Sequence, residues 1–264
     1  MIKARFKKPL LGTKGKFILD IDLEIEEKEI VALFGESGAG KSTILRVLAG
    51  LEKVDEGYIE VNHSIWLDTQ KKFFLKPQNR KIGFVFQDYA LFPHLNVYQN
   101  IAFANPKDKN KINEVLHLMR LENLSKQKIS QLSGGQAQRV ALARAIIGAK
   151  EFLFLDEALN ALDPTLKNDL QTDLLHLIQR FSLSVILVSH NQDEILKLAH
   201  KVLLLKHGKI TSTSTDFFTP TIHFQAQLLH TDENHAYFKP VEPLKIPKKN
   251  LKNLNPIQNL KIQI

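Results

Sequence analysis

The sequence contains no cysteine, and none of its apolar runs approaches the length of a membrane span. Without cysteine the chain forms no disulfide bond and no thiolate metal site. A helix that crosses a bilayer needs about 20 consecutive apolar residues. Residues 1–6 (MIKARF) also lack the apolar core of a signal peptide. We therefore expect a chain that does not cross a membrane and stays in the cytosol.

Long blocks of one charge are absent as well, although the net charge is +8. Lysines are spread along the chain, so a solvated basic surface is the simplest interpretation, with nucleic acid or an anionic membrane face as alternatives. The 264 residues, 44% of them hydrophobic, can bury a large core. This length suits one large domain followed by a small one.

The most informative stretch is residues 35–42 (GESGAGKS), which fits the phosphate-loop pattern G-x-x-x-x-G-K-[ST]. The apolar run at residues 30–34 (IVALF) before it predicts a buried strand of a parallel sheet. Apolar residues at helical spacing follow it, and Gly50 is placed to end that helix. Glycines let backbone N–H groups surround an anion, and the helix N-terminus adds to the attraction.

This loop predicts a nucleotide site in which Lys41 neutralises phosphate charge and the Ser42 hydroxyl holds Mg²⁺. The residues expected to contact the nucleotide are Gly35, Glu36, Ser37, Gly38, Ala39, Gly40, Lys41, Ser42 and Thr43.

Two later apolar runs end in polar groups that suit catalysis. Residues 152–155 (FLFL) lead into Asp156 and Glu157, and residues 185–188 (VILV) lead into Ser189 and His190. Carboxyl ends of parallel strands are where α/β folds bind ligands. Asp156 suits the Mg²⁺ shell, and Glu157 suits orienting or deprotonating a water.

The middle of the chain is predicted to be an inserted helical subdomain at about residues 89–150, interrupted by Pro93 and Pro106. The strand at residues 82–86 precedes it and is followed at once by Gln87, a polar residue at a strand end. Within the subdomain, residues 132–136 (LSGGQ) come before a strongly helical stretch. By itself this pair of glycines is a turn with an N-cap or a second anion site.

Strand patterns flank these elements. Residues 17–34 predict an antiparallel hairpin that leads into the central strand, and residues 57–68 predict two strands joined by a turn at residues 62–64. Near the C-terminus, residues 222–229 and 260–264 are β-like. A disordered basic tail is the alternative there.

Together these motifs resemble the ATP-hydrolysing subunit of an ABC transporter over about four fifths of the chain. The phosphate loop, Gln87, the LSGGQ signature, the acids Asp156 and Glu157, and His190 stand in the family's order. The resemblance implies a head-to-tail homodimer that encloses two ATP molecules. It assigns catalysis to Lys41, Gln87, Glu157 and His190, and Mg²⁺ to Ser42, Gln87 and Asp156. Ser133, Gly134 and Gly135 of the partner subunit would meet the γ-phosphate, and the resemblance also assigns Gln136 and Asp163 to nucleotide binding.

Further motifs resemble importers of molybdate and related oxyanions. They are Trp66-x-Asp68, Pro77-x-x-Arg80-x-x-Gly83 and residues 91–94 (LFPH). Importer ATPases for sulfate share several of them. Two positions depart from the family pattern, since Ala158 stands where proline is usual and Asn160 where serine is usual. No aromatic residue lies clearly at the family's usual position for stacking on adenine, for which Phe6 and Phe17 are candidates.

The resemblance implies an α/β fold of the P-loop NTPase type, with a mostly parallel core sheet, an N-terminal antiparallel β subdomain and the inserted helical subdomain. Residues 1–212 are expected to form the ATPase domain, and residues 213–264 a short β-rich accessory segment. Its expected ligands are ATP and Mg²⁺.

The implied function is uptake of an oxyanion, molybdate first, by a peripheral ATPase on the cytoplasmic face of the inner membrane. Its expected partners are membrane permease subunits, a second copy of the chain and, indirectly, a substrate-binding protein, with no nucleic acid. The alternatives are an importer for another substrate such as sulfate, an exporter, and a soluble ABC-type ATPase that acts on nucleic acid or ribosomes.

Overall fold

The computed structural model describes residues 1–12, 15–159, 164–213, 226–231 and 236–240. Contacts divide the chain into two units, Met1–Thr215 and Asp216–Ile264. The described part of the first unit holds an eleven-stranded sheet with helices, and that of the second holds a separate two-stranded sheet. The functional division at residues 212 and 213 stays a prediction.

The large sheet consists of β1 (Ile2–Gly12), β2 (Gly15–Ile25), β3 (Ile30–Gly35), β4 (Glu56–Val61), β5 (Ser64–Asp68), β6 (Phe73–Phe74), β7 (Gly83–Val85), β8 (Phe152–Asp156), β9 (Ser184–Val188), β10 (Lys201–Lys206) and β11 (Lys209–Thr213). The helices are α1 (Lys41–Ala49), α2 (Pro77–Arg80), α3 (Val97–Ala102), α4 (Lys109–Leu118), α5 (Gly134–Gly148), α6 (Pro164–Arg180) and α7 (Gln192–Leu198), with short 3₁₀ turns at Glu122–Leu124 and Ile129–Gln131.

The strand order is β6-β5-β4-β1-β2-β11-β10-β3-β9-β8-β7. The five strands from β10 to β7 are parallel, and the strands from β2 to β6 are antiparallel. All five residues of β8 and of β9 are buried, as expected for strands covered on both faces. The predicted α/β class with a mostly parallel core is confirmed.

The N-terminal hairpin was assigned to the wrong residues. β2 pairs with β1, with Ile25 opposite Ile2, whereas β3 lies between β9 and β10. The reason is that β1 itself buries alternate residues and supplies the antiparallel partner, while the wholly apolar β3 requires cover on both faces. The second predicted hairpin is confirmed as β4 and β5. Asn62 and His63 form its turn with φ of 47° and 63°.

Helix α1 packs its apolar side against the sheet, with Ile44, Leu45 and Leu48 fully buried. Gly50 ends the helix as predicted, with φ of 75° and its N–H donated to the Val47 carbonyl. The residues that open α1 thus rest on a rigid support at the end of β3.

The helical region differs from its prediction at the start. Residues 89–95 are not helical, and α3 begins only at Val97. Asn96 caps that helix by accepting the N–H of Gln99, whose side chain accepts the N–H of Asn96 in return. The strand expected at residues 82–86 is shortened to Gly83–Val85.

In the second unit, β12 (Ala226–Thr231) pairs antiparallel with β13 (Ala236–Pro240). The predicted strand at residues 222–229 overlaps β12, but residues 222–225 and 260–264 lie outside the described residues. Asn160 and Asp163 also lie outside them.

Candidate functional site

The phosphate loop joins the end of β3 to α1, and its glycines have conformations that other residues rarely adopt. Gly40 precedes α1 with φ of 101°. Gly35 has φ of 154°, and a Cβ there would lie 2.2 Å from the Leu205 carbonyl oxygen of β10. Because backbone blocks any side chain at position 35, the pattern requires glycine there.

The Lys41 side chain turns back into this loop. Its ammonium donates to the carbonyl oxygens of Gly35 at 2.8 Å and Glu36 at 2.7 Å. Burial lowers the pKa of Lys41, while the carboxylates of Glu157 and Asp156 oppose that shift. The loop therefore holds a cation where backbone N–H groups of a helix N-terminus already favour an anion.

Ser42 and Asp156 meet beneath the loop, although 114 positions separate them in sequence. The Ser42 hydroxyl donates to Asp156 Oδ1 at 2.7 Å, and Asp156 is 2% exposed. This oxygen pair fits Mg²⁺, which usually takes one or two protein groups, substrate phosphates and waters. The described residues contain no cluster of three or more His, Asp or Glu side chains that could cage a metal. A site shared with a phosphate is consistent with that.

Glu157 and His190 come together at the same edge, at the ends of β8 and β9. Glu157 Oε2 lies 3.2 Å from His190 Nε2, and the Glu157 side chain is 17% exposed. Its φ of 52° is uncommon for a residue with a side chain. The backbone N–H of Glu157 donates to the Val188 carbonyl at 3.0 Å, which fixes this geometry to β9. A sparsely populated conformation held in this way is frequent at functional sites.

The structure therefore brings five predicted residues together: Lys41, Ser42, Asp156, Glu157 and His190. Gln87 lies two residues beyond the end of β7 and is exposed, and the hydrogen bond between Ser42 and Asp156 does not include it.

The signature opens α5, as its turn pattern predicted. Ser133 Oγ accepts the N–H of Gln136 at 3.3 Å, and Gln136 Oε1 accepts the N–H of Ser133 at 2.9 Å. Ser133 and Gly134 are exposed. A Cβ added at Gly134 would meet nothing within 4 Å in the described chain. Packing against the part of the chain that the structure describes therefore does not explain glycine at this position.

A cavity of about 390 Å³ adjoins the phosphate loop. Phe17, His207 and Gly208 line it together with residues 36–39. Phe6 is 1% exposed in the core, so this candidate for stacking on adenine was wrong. A signal was available, because Ile2, Ala4 and Phe6 are alternate residues of β1 and therefore share one buried face. Sequence reasoning missed His207 and Gly208, which form the turn between β10 and β11 and line the cavity. The sequence signal for them was this turn dipeptide.

The Gln87–Leu95 segment is held by two side chains that sequence reasoning missed. Asn100, fully buried on α3, accepts the N–H of Phe92 at 2.9 Å and donates to the Phe92 carbonyl at 3.1 Å. Arg144 on α5 donates to the carbonyls of Tyr89 and Ala90, at 2.8 Å each. The segment presents Phe92 beside Phe103, their ring centroids 4.5 Å apart, and Phe103 is 62% exposed.

Arg80, which appeared in a motif without an assigned role, is buried behind α1. It donates to the carbonyls of Val47 and Leu48 in the last turn of α1, and lies over the ring of Trp66. Burial lowers the pKa of Arg80 to about 10, so it stays charged at neutral pH. A cation at the negative end of the phosphate-loop helix stabilises that helix.

Comparison with known proteins agrees with this geometry. The model of the ABC transporter family matches residues 18–160. A relative named probable sulfate/thiosulfate import ATP-binding protein CysA, from Chlorella vulgaris, is 46% identical over 197 residues, which cover 72% of this chain and 81% of the relative.

Two solved structures are similar over 81% of this chain and 98% of theirs, each with a TM-score of 0.68. One is the dimeric ATP-binding cassette MJ0796 in a post-hydrolysis state bound to ADP and Pi, at 27% identity. The other is a dimeric structure of the same bacterial ABC transporter cassette, at 28%.

No helix in the described ranges is long and apolar enough to span a bilayer. With its phosphate loop, paired acids and signature in place and with a family match over more than half of its length, the chain belongs to the ABC transporter family and is an ATP-binding, ATP-hydrolysing subunit of that family.

Proposed function

We propose that this chain powers the import of a tetrahedral oxyanion by docking on a membrane permease and hydrolysing ATP in a dimer. The observation that carries the ATPase part is the convergence of Lys41, the Ser42 and Asp156 pair, and the Glu157 and His190 pair at one edge of the parallel sheet. It would act as a peripheral protein on the cytoplasmic face of the membrane.

Each group has a role that its surroundings support. Lys41 would bind phosphate oxygens, and Ser42 with Asp156 would hold Mg²⁺, which supplies charge neutralisation at the phosphates. Glu157 would accept a proton from the attacking water, whose oxygen bonds to the γ-phosphorus as the bond to ADP breaks. His190, 3.2 Å from Glu157, would orient that carboxylate. For Gln87 we propose contact with Mg²⁺ and with the attacking water once nucleotide is bound.

A second copy of the chain would complete the site. The exposed Ser133 and Gly134 stand at the N-terminus of α5, where backbone N–H groups favour an anion. Glycine at position 134 leaves room for a phosphate to approach the backbone, which would explain why no contact among the described residues requires it. We propose that Gly135, Gln136 and Asp163 also contact nucleotide.

Changing Ser133 to Arg should abolish ATP-dependent dimerisation, because bulk would enter the position where the partner's γ-phosphate seats. Nucleotide should still bind the monomer, since the phosphate loop is unchanged. Light scattering with ATP and Mg²⁺ on a Glu157→Gln background measures the dimer. The control is Lys128→Arg, which changes an exposed residue at the start of the preceding 3₁₀ turn. Normal ATP dimers in the Ser133 variant would rule out this arrangement.

For the substrate we propose an oxyanion of the sulfate class. The 46% identical relative carries sulfate and thiosulfate import in its name, which favours the alternative over the molybdate that the sequence motifs first indicated. Sulfate and molybdate are both tetrahedral dianions. The permease and its binding protein, and not this chain, would contact the anion and distinguish the two.

The test is to purify the tagged chain from membranes of its own source with the permease retained, and to reconstitute it with its binding protein. Sulfate or thiosulfate should raise ATP turnover, and molybdate should do so much less. Stimulation by molybdate alone would reverse the substrate assignment. Co-purification of ribosomes or nucleic acid in place of membrane proteins would overturn the import function.

The docking surface on this chain would be the Gln87–Leu95 segment and Phe103. A permease helix that covers Phe103 would bury an aromatic ring that is 62% exposed, and burying an aromatic surface stabilises association.

Phe103→Asp should therefore abolish co-purification with the permease and leave the ATP turnover of the isolated subunit within about twofold of the wild-type rate. Leu196→Asp on α7, where the leucine is 52% exposed, is the matched control and should still co-purify. If both variants, or neither, lose co-purification with the permease, the docking surface lies elsewhere on the chain.

A further inference from the structure

Arg144 joins the Gln87–Leu95 segment to the helix that begins at the signature. Its Nη2 donates to the Tyr89 carbonyl and its Nη1 to the Ala90 carbonyl, both at 2.8 Å. The guanidinium also lies over the ring of Phe92, 5.2 Å from its centroid. Arg144 of α5 thus contacts two backbone carbonyls and one aromatic ring of the segment.

The backbone that Arg144 grips has an uncommon conformation. Tyr89 and Ala90 are two consecutive residues with positive φ, 62° and 44°. Residues with a Cβ rarely adopt this region, and such a pair persists only when neighbouring groups hold it. The planar fork of an arginine can donate to both carbonyls at once, whereas the single ammonium of a lysine does not match that geometry.

The other end of α5 is the signature. From Arg144 to Gly134 the helix runs ten positions, about 15 Å at 1.5 Å per residue. Ser133 caps this end through its reciprocal hydrogen bonds with Gln136. A displacement of residues 89–92 would therefore reach Ser133 along a continuous helix. Asn100 holds Phe92 to α3, so the segment has one attachment to α3 and another to the signature helix.

We propose that Arg144 is a positioning residue which makes the Gln87–Leu95 segment and the signature end of α5 move together, so that a permease seated on the segment sets the position of Ser133. This inference rests on the proposed docking and dimer roles of those two regions. Arg144 would contribute to coupling between permease and ATP hydrolysis without contacting the nucleotide.

Arg139 provides the matched control on the same helix. It donates to Asp173 Oδ2 of α6 at 2.8 Å and is similarly shielded, with 13% of its side chain exposed. Its contacts join α5 to α6 and to Met119 at the end of α4, and not to the Gln87–Leu95 segment. If Arg144 only stabilised the fold, replacing Arg144 or Arg139 would change the stimulation of ATP turnover by the complex to the same extent.

The first measurement uses the absence of cysteine, since Asp88→Cys gives a single site for a nitroxide label next to Tyr89. With Arg144→Gln the label should become clearly more mobile, and with Arg139→Gln it should not. Arg144→Lys should give intermediate mobility. Equal mobility in the wild-type and Arg144→Gln chains would overturn the positioning role, whatever the chain's function.

The second measurement compares ATP turnover of the isolated subunit with that of the membrane complex co-purified through a tag. Arg144→Gln should lower the stimulation of ATP turnover by the complex about tenfold, and should lower the turnover of the isolated subunit much less. Unchanged stimulation in Arg144→Gln would overturn the transmission role while leaving the proposed function intact. If the wild-type chain brings down no membrane complex, the proposed function fails, and the transmission role fails with it.

Discussion

Replacing Glu157 with Gln is expected to slow ATP hydrolysis by about 10²–10⁴, the range typical of a lost general base. The amide preserves the shape of the side chain but cannot accept the proton of the attacking water. Lys41 and the Ser42 and Asp156 pair stay in place, so ATP should still bind and close the dimer. Phosphate release, a nucleotide-binding titration and gel filtration with ATP and Mg²⁺ measure the three properties separately.

Lys41→Ala is the contrasting variant, because it removes the cation that the loop holds at 2.8 Å and 2.7 Å from two of its own carbonyls. ATP affinity and turnover should both fall, since Lys41 would bind the phosphates in the ground state and in the transition state. Hydrolysis at the wild-type rate by Glu157→Gln, or loss of ATP binding like that of Lys41→Ala, would contradict this division of roles.

The parts of this site that could be predicted from sequence are those in which a local pattern determines the local geometry. Residues 35–42 form a loop between a buried strand and a helix because the glycines and the flanking apolar runs all specify that turn. The placement of Asp156 and Glu157 followed from a fully apolar run, which predicts a parallel strand whose carboxyl end lies at the ligand edge.

What could not be predicted depends on contacts between distant residues. Arg144 meets Tyr89 and Ala90 across more than 50 positions, and neither its spacing nor its type marks a partner. The left-handed backbone of Glu157 is likewise imposed by its hydrogen bond to Val188. Lys41 shows a different limit, because its partners are near in sequence but its motif predicts a phosphate ligand and not the carbonyl oxygens of Gly35 and Glu36.

Residues 89–95 form no helix, and α3 begins only at Val97. Apolar periodicity favours a helix from Tyr89. The side chains of Asn100 and Arg144 form hydrogen bonds with the backbone of this segment instead, and the helix begins only after Asn96. Side-chain hydrogen bonds that compete with helix formation leave no trace in hydrophobic periodicity.

Replacing Arg80 with Met is expected to destabilise the fold by about 2–4 kcal/mol, because the two C-terminal carbonyls of α1 would lose charge-assisted donors in a buried site. Methionine keeps most of the volume, so the loss reports hydrogen bonding more than a cavity. Relief of the burial penalty that lowers the pKa of Arg80 to about 10 offsets part of the loss. The melting temperature should fall by roughly 4–16 °C for a domain of this size.

The control for Arg80→Met is Arg46→Met, which removes an exposed arginine from α1 itself and should change stability by less than about 0.5 kcal/mol. Arg80→Lys should recover only part of the loss, since an ammonium cannot reproduce the planar fork that reaches Val47, Leu48 and Trp66. Because α1 begins at Lys41, weakening its far end should also raise the ATP concentration needed for half-maximal binding. Equal melting temperatures for the Arg80 and Arg46 variants would show that the guanidinium does not stabilise the phosphate-loop helix.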